Sequence, residues 1–220
     1  MSVTKKDTQW AIESWFLVRR KWLLPLIPEQ FIPYTRFGFG MISIGIWKHS
    51  NAYIGDKSYG PTLEAWVAIG LKYAGRLYGL VHTTYDNNPS YIEPIKEEFK
   101  FSKLYADMEW KERNGRHQLE VRAGKKLILR FAGSSSFLPA SIPYSKPRPA
   151  WLIKNNEHYV ADMKISALKP RLAFTSIDIP VDSPMRQVAN SLKPIMKYSV
   201  FYQSASIEMP VPSKIEFAPK

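Results

Sequence analysis

The chain has 220 residues and a formal net charge of +12, with 31 Lys and Arg against 19 Asp and Glu. Apolar residues make up 45% of it, enough to fill a core, which excludes a disordered or fibrous chain. It contains no cysteine, which excludes disulfides, thiolate metal sites and a cysteine nucleophile.

The 17 prolines predict many short elements, because proline breaks helix interiors and central strands alike. Met1 to Gln9 is polar and lacks the apolar stretch of a secretory signal. Trp15 to Leu24 mixes aromatics with Arg19, Arg20 and Lys21 and reads as an apolar strand or short helix with a charged flank. Phe39 to Trp47 alternates as a strand, with Gly40, Ile42, Ile44 and Ile46 on its more apolar face. Leu63 to Leu71 alternates too, setting Leu63, Ala65, Val67, Ile69 and Leu71 against Glu64, Trp66, Ala68 and Gly70. Tyr73-Ala74-Gly75-Arg76 turns the chain into a returning strand, Leu77 to Tyr85, and Asp86-Asn87-Asn88-Pro89 ends it.

Ile92 to Phe101 follows neither period cleanly and is read as one short helical turn. Lys103 to Lys111 alternates, and Asn114-Gly115 carries a hairpin signal. Strands are expected at His117 to Ala123 and Lys126 to Ala132, with Gly133-Ser134-Ser135-Ser136 as a loop. Pro139 to Pro149 holds four prolines and reads as a non-regular crossing. Trp151 to Lys154, Tyr159 to Ser166 and Leu172 to Ile179 are further strands. Ser183 as N-cap and Pro184 at the first position predict a helix over 184–197, followed by a strand from Val200 to Met209. The sum is about ten short strands and one late helix, a mainly β or α+β chain built as an antiparallel sheet or barrel. One domain over 1–220 is expected.

No run of about eighteen apolar residues exists, so no transmembrane segment is expected and the default is a soluble cytoplasmic protein. The positive charge is scattered, with no block of five or six like residues and no helix-turn-helix, zinc-finger or RNA-recognition signature, so nucleic acid is not an expected partner. The four histidines, His49, His82, His117 and His158, fall in no metal-ligand spacing, and glycine-rich nucleotide fingerprints are absent. Neither metal nor cofactor is expected.

What remains is amine chemistry. A lysine acts covalently when it is neutral near pH 7, which requires burial or a neighbouring cation. By spacing alone Lys103 and Glu64 read as solvent-facing strand residues.

The order of several segments resembles the acetoacetate decarboxylase family. Lys96-Glu97-Glu98-Phe99-Lys100-Phe101-Ser102-Lys103-Leu104 is similar to that family's Arg-Glu-Leu-x-x-x-Pro-Lys-Lys stretch. Tyr59 to Glu64 resembles its Tyr-x-Glu segment, and Tyr85-Asp86-Asn87-Asn88 its Tyr-x-Asp-Asn. Arg148 to Lys154, Leu192 to Ile195 and Ile207 to Pro210 resemble its later segments, and Leu23 to Phe31 its short early helix. The resemblance implies a closed antiparallel β-barrel or cone with a C-terminal helix, a buried site and a homo-oligomer. It implies that Lys103 forms a Schiff base with a keto acid, with Glu64 as the acidic partner. It places Arg19, Arg20, Trp66, Tyr85 and Lys96 as candidates to contact substrate. The sequence departs from the pattern at Leu104, where the family has its second lysine, and at Ser102 and Lys96. An ionised Glu64 close by would raise the pKa of Lys103, so Glu64 is expected to meet substrate or a bridging water rather than pair with that lysine. The alternative is a barrel of the same kind that binds a bulkier apolar molecule, or acts on it by non-covalent acid–base catalysis.

Overall fold

A computed structural model describes residues 3–140 and 148–216. β1 (Val3–Arg19) is followed by the short helix α1 (Arg20–Leu23) and the two-residue strand β2 (Ile32–Pro33). β3 (Phe39–Ile54), β4 (Lys57–Tyr73) and β5 (Arg76–Asp86) are consecutive antiparallel partners. α2 (Pro89–Phe99) leads into β6 (Lys103–Tyr105), and β7 (Asp107–Arg113), β8 (Arg116–Ala123) and β9 (Lys126–Pro139) form a meander. β10 (Arg148–Lys154), β11 (Glu157–Asp178), α3 (Arg186–Ser191), β12 (Met196–Pro210) and β13 (Ser213–Ile215) complete the described chain.

The strands form one sheet in the order β10-β5-β4-β3-β1-β12-β11-β9-β8-β7. β10 also pairs with β11, so seven of these strands ring round on themselves. β11 makes this possible by its length: its first residues meet β10 and β13, and its last meet β9. Among the described residues no helix is long and apolar enough to cross a membrane.

Alternation gives β3 and β4 two distinct faces. Ile42, Ile44, Ile46, Val67, Ile69 and Leu71 are fully buried and pack with Leu119, Val121, Ile128, Leu129 and Phe131 of the meander. The opposite face carries Met41, Ser43, Trp47, Glu64, Trp66, Ala68 and Gly70, and all seven line a cavity. The face that alternation marked as weaker is therefore the wall of an internal space rather than a solvated surface.

Several expectations need correction. The strands are longer than foreseen, because the ring supplies partners along their whole length. Tyr159 to Ser166 and Leu172 to Ile179 belong to one strand, and Gly133 to Ser136 lies within β9, where Gly133, Ser134 and Ser135 pair with β11. α2 runs for 11 residues. Asn88 caps it by accepting the Ser90 N–H at 3.1 Å, Pro89 sits in its first turn, and Tyr91, Ile92, Ile95 and Phe99 form its buried stripe. Pro94 inside the helix hid that period. The late helix spans only Arg186–Ser191. Pro194 disfavours helix at Lys193, and β1 claims the residues after it, with Ile195 N–H bonded to Leu17 O at 2.9 Å. Most of the expected crossing between Pro139 and Pro149 lies outside the described residues.

Gly45 fixes one wall. A Cβ there would stand 2.2 Å from the Trp66 ring, which lies against the bare backbone. Gly45→Ala is expected to lower stability in urea unfolding by about 1–3 kcal/mol, the usual cost of overpacking, and to shift the tryptophan emission of the native state. An unchanged midpoint with unchanged emission contradicts this contact.

Candidate active site

Lys103 is 1% exposed. It opens β6, which pairs in parallel with β5 so that Lys103 aligns with Thr84. Lys100 takes a left-handed conformation (φ 59°) at the end of α2 and redirects the chain inward. The alternation expected from Lys103 to Lys111 breaks, because Lys103 and Ala106 are both buried while Leu104 and Tyr105 face solvent. The solvent-facing reading of Lys103 and Glu64 is thus overturned by the burial of both.

The Lys103 ammonium donates to Asp86 Oδ2 at 2.8 Å and lies 3.1 Å from Glu64 Oε1. This corrects the expectation that Glu64 stands apart from Lys103: register places Glu64 of β4 directly opposite Asp86 of β5, so the lysine meets both. The other oxygen of Glu64 accepts from Lys6, a β1 residue, and from His49 Nε2 at 3.3 Å. An ionised carboxylate only accepts, so Nε2 carries the imidazole hydrogen and Nδ1 accepts from the Thr8 hydroxyl at 2.9 Å. Asp86 Oδ1 accepts from the Thr62 hydroxyl and from the Asn88 N–H at 2.9 Å. The Tyr91 ring flanks both amines, 5.1 Å from Lys103 Nζ and 5.6 Å from Lys6 Nζ.

Charge and burial act differently on the two lysines. Burial opposes the charge on Lys103, but Asp86 and Glu64 together outweigh it and hold the ammonium well above the ordinary lysine value. Burial dominates at Lys6 and lowers it to about 8, with Glu64 opposing and the Lys103 charge assisting. Burial pushes Glu64 up, but Lys103 and Lys6 overcome it and hold the carboxyl well below its usual range. His49 falls to about 4 through burial and the Lys6 charge, so it is neutral at pH 7.

The cluster occupies one end of a cavity of about 420 Å³. Glu64, Trp66, Ala68 and Gly70 follow one another along its wall, a run of roughly 20 Å at strand rise. Past Trp66 the lining is almost wholly apolar, with Met41, Leu71, Leu77 and Tyr78 at the far end. Among the described residues, the buried Trp47 Nε1, Trp66 Nε1 and Thr84 Oγ1 have no hydrogen-bond partner, and all three side chains line this cavity. No group of three or more His, Asp or Glu among the described residues has a metal-holding arrangement.

Of the residues singled out by sequence, Lys103, Glu64 and Trp66 come together at the cavity. Tyr85 is buried in the main core. Lys96 is paired with Glu93 at 2.8 Å on α2, and Arg19 and Arg20 are exposed at the end of β1; none of these four lines the cavity. Sequence reasoning missed Lys6, His49 and Tyr91, and saw in Asp86 only turn and motif. Lys6 left no such signal: Thr4, Lys6 and Thr8 are buried on the Glu64 side of β1 in a segment read as merely polar, and a bulge between Thr8 and Trp10 turns Trp10 to the other face, where it stacks on Trp110 at 3.9 Å.

His49 makes stability depend on pH. Its native value lies near 4, so between there and 6.5 unfolding takes up a proton that the native imidazole does not hold, and stability falls as pH falls. Burial lowers His82, His117 and His158 as well, so the slope is shared. His49→Gln is expected to recover about 2 kcal/mol of the loss between pH 7.5 and 5, read by urea unfolding at each pH. An identical slope in the variant contradicts a neutral buried His49.

No protein-family profile matches the chain, and no curated protein matches it by sequence. Solved structures do. Acetoacetate decarboxylase from Legionella pneumophila superposes with a TM-score of 0.79 at 12% identity, over 97% of this chain and 87% of that one. The enduracididine biosynthesis enzyme MppR complexed with pyruvate gives 0.72 at 8% identity, over 97% and 90%. An acetoacetate decarboxylase-like enzyme from Sphingomonas wittichii RW1 gives 0.69 at 9% identity, over 99% and 94%.

Proposed function

We propose that this chain, which has the acetoacetate decarboxylase-like fold, is an enzyme that binds an anionic keto acid with an apolar tail and forms an imine between its ketone and a buried lysine. The observation that carries the reading is a cavity with two lysine amines and a carboxylate at one end and apolar walls beyond. A volume of about 420 Å³ exceeds what a four-carbon acid fills and suits a larger, mostly apolar ligand. One structure of the same fold holds pyruvate, and another holds the condensation product of pyruvate and imidazole 4-carboxaldehyde, which supports a keto acid as the shared chemistry.

The positive surface steers an anion toward the cavity. The unpartnered donors of Trp47, Trp66 and Thr84 suit its carboxylate. Once the ketone has become a protonated imine, the C=N bond draws electrons from the adjacent carbon. Loss of carbon dioxide, aldol addition and dehydration all proceed from that intermediate, and Glu64, in contact with both amines, is placed to move the protons. The ion pairs around Lys103 favour a second reading, in which the same cavity binds the ligand without a covalent bond and Glu64 alone supplies acid–base catalysis.

A series of 3-oxo acids of increasing chain length tests the proposal. Carbon dioxide release is expected, with kcat/KM rising about fourfold per added methylene until the cavity is full, as burial of each CH₂ predicts. Turnover that is absent for every acid, or indifferent to chain length, contradicts it. Covalent and non-covalent versions separate on borohydride, which inactivates only in the presence of keto acid if an imine forms.

A further inference from the structure

We propose that Lys6, rather than Lys103, is the amine that forms the imine, and that Lys103 is the fixed cation that keeps Asp86 and Glu64 paired. This rests on the keto-acid reading above and deepens it.

The two lysines differ in what each would leave behind on losing its proton. Among the described residues, Lys103 touches two carboxylates, Asp86 and Glu64, whereas Lys6 touches one, Glu64. If Lys6 loses its proton, Lys103 still lies against both anions, at 2.8 and 3.1 Å. If Lys103 loses its proton, the partners left in contact with Asp86 among the described residues are neutral, Thr62 and the Asn88 N–H, with its side chain fully buried and Lys6 acting on it without a direct contact. A buried carboxylate stripped of its cation is strongly disfavoured. The geometry therefore selects Lys6 as the group that becomes neutral, and its lowered value, about 8, agrees. At pH 7 about one Lys6 in ten is then uncharged.

Lys6 also has access. It lines the cavity beside Thr4 and Tyr91, within the space a ligand carbonyl would enter. A neutral amine keeps two hydrogens; one suffices for Glu64, which leaves the lone pair free for a carbonyl carbon. In the bond-forming step that lone pair makes the C–N bond while the C=O π pair moves to oxygen. Glu64 takes one N–H proton and passes it to that oxygen, giving a carbinolamine. A second proton, from solvent, lets the hydroxyl leave as water while nitrogen closes the C=N bond. The exchange consumes one proton and releases one water. Lys103 gives up no proton in it, so both buried carboxylates stay paired throughout.

The test is reductive trapping on the intact chain. The protein is incubated with an eight-carbon 3-oxo acid, reduced with borohydride, digested, and the adduct located by peptide mass. The expected adduct is on Lys6, at a rate that rises about tenfold per pH unit below 8 and levels above it. Lys6→Arg, which keeps a cation beside Glu64 but offers no nucleophilic amine, is expected to reduce trapping at least a hundredfold, with circular dichroism confirming its fold. Should that variant fail to fold, the mapped site in the unaltered protein decides. An adduct on Lys103 with none on Lys6 overturns the assignment and leaves the keto-acid reading standing, whereas adducts confined to exposed lysines overturn both. No adduct at any lysine, with any acid tested, overturns both.

Discussion

Two buried carboxylates held by two buried ammoniums are the constraint on which the rest of this structure depends. Glu64 and Asp86 face one another across β4 and β5, Lys103 closes the pair from β6, and Lys6 reaches Glu64 from β1. Removing the charge of Lys103 leaves Asp86 without its cation, and removing that of Glu64 leaves Lys6 without its anion, whereas Lys103 still holds both carboxylates when Lys6 is neutral. The cluster therefore dictates register: a one-residue slip of β1 would turn Lys6 outward, and a slip of β5 would turn Asp86 away. The short strand β6 and the left-handed turn at Lys100 serve the same end, setting Lys103 where a solvent-facing strand residue would otherwise stand.

The walls around the cluster arise from a sheet with two apolar faces. The isoleucine face of β3 packs against the meander, while the face bearing Met41, Trp47 and Trp66 encloses space. Space persists there because Ser43, Gly45, Ala68 and Gly70 contribute almost no side-chain volume. Gly45 admits the Trp66 ring, and the small residues beyond it leave room for a tail. The cavity thus couples a charged end, where two amines differ in how firmly they hold protons, to a long apolar run. In the proposed function, binding energy from the run holds a carbonyl against the amines.

Much of the fold was legible in sequence because alternation was strong where one face was fully buried. Phe39 to Trp47, Leu63 to Leu71 and the Asn114-Gly115 hairpin were read correctly in kind, if too short. Alternation failed where neighbours overrode it. Pro94 disguised α2, and Pro194 with the pull of β1 shortened the late helix. For the site, the resemblance supplied Lys103 and Glu64, and the structure brings both to the cavity, but their mutual contact was not foreseen. Lys6 was illegible for a physical reason: a lysine on the inward face of a polar strand looks solvated unless the anion that receives it, 58 residues away, is already in view. The candidates Arg19, Arg20 and Lys96 carry charge but stand away from the cavity.

The proposed catalysis through Lys6 requires that one buried amine be easily deprotonated while its neighbour is not. Protein labelled with ¹³C at lysine Cε reports this directly by NMR titration, the two resonances being assigned by Lys6→Arg and Lys103→Arg. The expected result is a Lys6 signal that moves with a midpoint near 8 and a Lys103 signal that stays unmoved up to pH 11. A Lys6 signal that moves only above pH 10, together with a Lys103 signal that moves first, would contradict the central claim.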